Sequence, residues 1–149
     1  MPKKLLILLF LLSPFYMNSQ NIIWKTDIND AVAASVEQRR PLLILFTSQG
    51  INSQLQNEIF STRDFEDWSR KNVILVKLDI SDPSVPDAAK EQNLRLKNAF
   101  GIDELPQVCF SQVTQRKDKT NFNKLGLIGY NSSGVKSWIS ESNSILNPE

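Results

Sequence analysis

The residues Leu42-Leu43-Ile44-Leu45-Phe46 form an apolar run without a polar break, the pattern of a strand covered on both faces. A second apolar run spans Val73 to Ile80, and a third, led in by Leu105-Pro106, spans Gln107 to Ser111. Between these runs the period changes from continuous to helical. Ile22-Ile23-Trp24-Lys25 predicts a short opening strand, after which Thr26 or Asp27 can cap a helix with Ile28, Ala31, Val32 and Val36 on one face. Arg39-Arg40-Pro41 ends that helix. Leu55, Ile59 and Phe60 predict a short helix, and Ser61-Thr62 restarts capping for a turn that carries Phe65 and Trp68 and ends at Asn72.

Farther along, residues 81–86 read as a loop, and Asp87 as the cap of a helix with Ala89, Leu96, Ala99 and Phe100 inward and Gly101 as its terminator. A polar loop is expected over Gln112 to Asn123 and a last strand over Leu125 to Tyr130. Ser132 or Ser133 can cap a terminal helix whose apolar face is Val135, Trp138, Ile139 and Leu146. The resulting order is β-α-β-α-β-α-β-β-α, which predicts an α/β sandwich with helices on both faces of a mixed sheet. The tryptophans Trp24, Trp68 and Trp138 fall at apolar-face positions and read as core or core-edge residues, with a binding surface as the alternative for Trp68.

The first residues change the domain picture. Lys3 and Lys4, the apolar run Leu5 to Leu12 and the more polar tail to Gln20 have the layout of a secretory signal peptide. That apolar run is far short of the roughly 20 residues a membrane-crossing helix needs. An uncleaved anchor is the alternative, since Phe15 and Tyr16 could extend the segment. The expected division is a signal peptide over 1–19 and one domain over 20–149, with no lipid-modified cysteine and no stable membrane span after cleavage. Two lysines leave with the signal, so the net charge of +1 becomes −1. Such a balance, without a Lys/Arg stripe, gives no ground for a nucleic-acid partner. Arg116-Lys117-Asp118-Lys119 reads as a solvated tip.

The chain has one cysteine, Cys109, and no histidine. Histidine-dependent triads and histidine-containing zinc sites are thereby excluded, and one sulfur makes neither an intrachain disulfide nor a sulfur-rich metal site. Ser48 and Ser53 have no histidine base and read as turn and cap residues. Asp79, Asp82 and Asp87 lack the glycine turn and closing glutamate of a calcium loop, so no metal and no cofactor is expected.

Three local patterns, in order, resemble the thioredoxin-like superfamily. One is the apolar strand ending at Phe46, followed by an elbow and a helix. Another is Lys77-Leu78-Asp79-Ile80 running into Asp82-Pro83 and a helix that closes with Ala99-Phe100-Gly101-Ile102. The third is Leu105-Pro106-Gln107-Val108-Cys109-Phe110, where that family has its cis-proline strand. Ile128-Gly129-Tyr130 resembles the family's last-strand glycine. Trp24-Lys25-Thr26-Asp27 and Asn57-Glu58-Ile59-Phe60 are similar to segments of an exported subgroup. The resemblance covers nearly all of residues 22–147 and implies a thioredoxin-like fold, a central mixed β-sheet sandwiched by α-helices.

The departure from the family lies in the elbow, Thr47-Ser48-Gln49-Gly50-Ile51-Asn52-Ser53-Gln54. Counted from Phe46, Ile51-Asn52-Ser53-Gln54 stands where the family has C-x-x-C, and Leu45 stands where it often has a buried carboxylate. Dithiol exchange needs a thiolate to attack and a second thiol to resolve, and this segment supplies neither. Cys109 reads as a small buried hydrophobe, with a reactive monothiol as the alternative. The resemblance implies that Leu105, before the proline, could offer its backbone to an extended peptide, with the elbow as the opposite lip. The alternative is a proline kept only for the fold. The candidate groove is Gly50, Ile51, Asn52, Leu105 and Pro106, and its expected ligand is a polypeptide or another envelope protein. A passive subunit of an envelope complex is the remaining alternative.

Overall fold

The computed structural model describes residues 22–51 and 54–149. The expected signal peptide, Asn52 and Ser53 therefore lie outside the described residues. The first helix, α1 (Ile28–Gln38), starts where Asp27 accepts hydrogen bonds from the Asn29 and Asp30 amides at 2.7 and 3.4 Å. Replacing that cap by alanine is expected to remove about 1 kcal/mol of stability, read as a shift in the urea midpoint. Arg39 closes the helix in the left-handed conformation, φ 55°.

Strand β1 (Leu42–Thr47) is central, parallel to β2 (Ile74–Asp79) and antiparallel to β3 (Gln107–Arg116); β4 (Lys119–Ile128) pairs antiparallel with β3. The sheet order is β2-β1-β3-β4. Residues 22–25 do not form the full strand expected: Lys25 alone bridges to Val76, through its amide to the Leu75 carbonyl and its carbonyl to the Lys77 amide. The stretch 112–123 is also not a loop. It is the distal half of a β3–β4 hairpin turning at Lys117 and Asp118, both at positive φ, which matches the tight turn that suits the twist of paired strands. Its composition hides the pairing because, apart from the half-buried Val113 and Phe122, the arm is polar and largely solvated.

The β1 side chains alternate between two cores. Leu42, Ile44 and Phe46 join Ile74, Val76, Leu78 and Cys109 beneath α1 (Ile28, Ala31, Val32) and beside Phe100 and Ile102. Leu43 and Leu45 join Leu75, Val108 and Phe110 beneath a π-helical turn (Leu55–Phe60), α2 (Arg63–Asn72) and α4 (Val135–Leu146). The third helix, α3 (Asp87–Ala99), follows the loop after β2. In that loop Asp82 accepts from the Ser84 hydroxyl and amide, which lowers its pKa, the hydroxyl bond contributing most.

Several boundary expectations are corrected. Val36 is 41% exposed, and Ala34 and Ser35 turn inward instead. Ala99 is exposed, whereas Asn93 of α3 is buried. Pro86, not Asp87, stands at the cap of α3, and Gly134, not Ser132 or Ser133, at that of α4. Thr62 does cap α2, accepting from the Phe65 amide. All three tryptophans pack on the second core, with Trp68 and Trp138 buried. Gly126 is required by that packing, since a Cβ there would sit 2.8 Å from Cγ2 of Ile145, a stiff β-branched side chain on α4.

Candidate functional site

The elbow leaves the C-terminal end of β1, where register sets Leu45 beside Lys77 and Thr47 beside Asp79. Because side chains alternate along a strand, these four share one face of the sheet. They floor a cleft of about 270 Å³ whose walls are Ser48, Gln49 and Ile51 of the elbow, Leu55, Gln56 and Phe60 of the π-helical turn, and Pro106. The Leu105–Pro106 peptide bond is cis.

A hydrogen-bond chain ties the elbow to the loop after β2. The Gln49 amide donates to the Ser81 hydroxyl at 2.7 Å, and that hydroxyl donates to Oδ1 of Asp79 at 2.7 Å. The Ser81 amide reaches the same oxygen at 2.9 Å. The Ile80 amide donates to the Thr47 carbonyl at 3.0 Å, extending the β1–β2 ladder into the elbow. The first elbow residues are thus held by the neighbouring strand end.

The far side of the cleft is built by the π-helical turn. There the Ser61 amide reaches back to the Gln56 carbonyl at 3.0 Å, a five-residue span. This wider turn lets Leu55, Ile59 and Phe60 all point to the core. Tyr130, just past β4, donates to the Glu58 carboxylate on the same turn. That hydrogen bond, followed by burial and the carboxylate charge, raises the tyrosine pKa.

Of the residues singled out from sequence, Ile51 and Pro106 line this cleft. Gly50, at φ +76°, is exposed at the elbow's crest. Leu105 is half-buried and packs against the α1-side core, and Asn52 lies outside the described residues. Thr47, Lys77 and Asp79 were missed. The signal was available in the alternation of Lys77-Leu78-Asp79, but only the register shows which elements it faces.

Cys109 is fully buried among Ile44, Phe46 and Phe100, with Sγ 3.7 Å from the Phe110 carbonyl oxygen. Burial pushes its thiol up to about 12, against a small opposing pull from Lys124. Among the described residues, no cluster of three metal-ligating side chains occurs, and no helix is long and apolar enough to cross a membrane.

No protein-family model matches the chain. The chain is 29% identical over 94 residues to the thioredoxin-related protein DsbJ of Chlamydia pneumoniae. That match takes in 60% of this chain but only 27% of DsbJ, so the chain spans about a quarter of that relative's length. Its fold is similar to the DsbH oxidoreductase, with a TM-score of 0.71 and 18% identity over 87% of this chain and 88% of that one. It is also similar to a thioredoxin from Thermus thermophilus, with a TM-score of 0.59 and 11% identity over 83% and 86% of the two chains. The architecture is thus a thioredoxin-like fold, carried by a chain whose single cysteine leaves it without a C-x-x-C pair.

Proposed function

We propose that this chain is an exported, non-catalytic binding module that holds an extended stretch of another polypeptide in the cleft between the elbow and Pro106. The observation that carries this reading is a cleft kept open where the paired cysteines are missing. Ile51 lines its wall and is only half-buried, so the side chain standing in the thiol position does not fill it. The lining mixes apolar anchors (Leu45, Leu55, Phe60, Pro106) with polar groups (Thr47, Gln49, Lys77, Asp79), which suits a peptide with backbone and side-chain needs alike.

DsbH is named an oxidoreductase, but a two-thiol reaction does not carry over to a chain with one sulfur. A monothiol reaction at Cys109 is disfavoured by its burial and raised pKa. Export rests on the signal-like layout of residues 1–19. In this reading Gly50, Asn52 and Leu105 flank the ligand while Ile51 and Pro106 touch it.

The test uses the purified chain and a reduced, carboxymethylated unfolded polypeptide as probe. Binding is expected for the wild type, and Ile51→Arg is expected to weaken it at least about tenfold, or ~1.4 kcal/mol, with the thermal midpoint unchanged. Insulin reduction is expected to stay at background. Equal binding by Ile51→Arg removes the cleft from the reading. Turnover that disappears with Cys109→Ala transfers it to a monothiol enzyme.

A further inference from the structure

The β1–β3 ladder ends at the pair Leu42–Ser111, yet β3 continues to Arg116. Beyond Ser111, β3 is paired, among the described residues, only with β4, so its other edge is open to them over residues 112–116. The chain before β1 cannot close it. Pro41 has no amide hydrogen, and its carbonyl accepts from the Ile74 amide on the β2 side. Arg39 then turns away into α1.

A groove of about 530 Å³ runs along this edge, walled by the C-terminal end of α1 and by Arg39, Arg40 and Pro41, with Gln112–Arg116 as its other side. It is separate from the elbow cleft and shares no lining residue with it. Three arginines line it and no carboxylate does. Among the described residues none of the three is in a salt bridge, since the ion pairs are Arg70–Glu66 and Arg95–Glu91. The Arg40 guanidinium donates to the Arg70 carbonyl and to Gln38, which leaves Arg39 and Arg116, both exposed, as the available forks. Glu37 and Asp118 are the neighbouring acids in sequence, and neither lines the groove.

Backbone parity gives the edge its donors and acceptors. A two-residue turn makes Arg116–Lys119 a hydrogen-bonded pair, and alternation then directs the amide groups of Val113 and Gln115 away from β4. Ser111, on the same parity, points to β1 and pairs with Leu42, as this count requires. Among the described residues, no proline interrupts this length, and the register shift in β3 lies just before it, between Phe110 and Ser111.

We infer that the open edge of β3 over Gln112–Arg116 takes an acidic, extended polypeptide segment of a partner protein as an added strand. Val113 and Gln115 supply the main-chain hydrogen bonds, and Arg39 and Arg116 clamp carboxylates on alternate positions of the incoming strand. The positive lining selects the sign of the ligand. The unpaired edge selects its conformation.

The probe is a short labelled peptide of alternating glutamate and threonine, with a lysine–threonine counterpart as control, titrated into the full chain by fluorescence anisotropy. The acidic peptide is expected to bind and the basic one not to, with affinity falling as salt rises. The double variant Arg39→Glu/Arg116→Glu is expected to weaken binding at least about tenfold. Gln115→Pro removes an outward amide without breaking the hairpin ladder and is expected to do the same. Hydrogen exchange on the wild type gives a readout that needs no variant: the Val113 and Gln115 amides gain protection when the peptide is bound. Ile51→Arg leaves all of this unchanged, which separates the edge from the elbow cleft. Equal binding of the basic peptide, unchanged exchange at both amides, or self-association that excludes the peptide would each overturn the assignment.

Discussion

Trp138→Ala is expected to destabilise the protein by about 3–5 kcal/mol, a large share of the roughly 5–15 kcal/mol margin of an ordinary domain. The indole is fully buried, with ring centroids of Phe65, Trp68, Phe60 and Phe110 at 5.7, 5.9, 6.0 and 6.3 Å. These four contacts come from three elements: the π-helical turn (Phe60), α2 (Phe65 and Trp68) and β3 (Phe110). One side chain on α4 thus joins the helical layer to the sheet. Its Nε1–H donates to the Gly129 carbonyl at 3.0 Å, so truncation leaves both a cavity and an acceptor without its protein donor. Trp138→Phe separates the two effects, and about 1–2 kcal/mol is expected for losing the donor and part of the volume. Urea unfolding of both variants measures this. A loss under about 1 kcal/mol for alanine would mean the site can collapse around the gap, contrary to the density of rings around it.

The second large effect concerns the thiol. With its pKa pushed up to about 12, Cys109 is expected to be almost unreactive toward iodoacetamide in the native state near pH 8. The thiolate fraction there is on the order of a thousandfold below that of a free cysteine, before burial is counted. Labelling should follow global opening and become fast in guanidinium, with mass spectrometry as the readout. Labelling of the native chain at the rate of a free thiol would contradict the burial and restore the monothiol reading.

The same shift has a signed consequence for stability. Native Cys109 titrates above its unfolded counterpart, so its contribution is complete below the unfolded value near 9 and declines as pH rises toward about 12. Cys109→Ala should flatten that part of the pH–stability profile. Tyr130, raised by its bond to Glu58, changes stability in the same direction, so the difference between wild type and variant isolates the cysteine.

The strands of this protein were legible wherever burial is on both faces. Leu42–Phe46 could be read locally, because a short apolar run between the helix-ending Pro41 and a polar elbow fits a strand covered on both faces. The helical faces carrying Ile28, Ala31 and Val32, or Phe65 and Trp68, were legible from apolar residues recurring at helical spacing. The distal hairpin was not. Gln112 to Asn123 carries only Val113 and Phe122 as apolar residues, a single cross-strand pair too sparse to set a period, and its regularity comes from backbone hydrogen bonds between β3 and β4. Helix caps at Pro86 and Gly134 escaped because neither uses a side-chain bond to announce itself. Within the elbow cleft, Ile51 and Pro106 were named by the family resemblance, whereas Lys77 and Asp79 needed the β1–β2 register.

Composition by itself determined what chemistry is unavailable: a chain with one cysteine and no histidine cannot perform two-thiol exchange or histidine-based catalysis, whatever its shape. Hydrophobic order determined the layering, since apolar runs and stripes must be buried against one another. Only the tertiary structure decided where concave surface remains, that Cys109 is sealed in the core, and that β3 outruns β1 to leave a strand edge beside three arginines. These are properties of relative position between segments distant in sequence, set by register and by where each strand stops, and no local pattern encodes them.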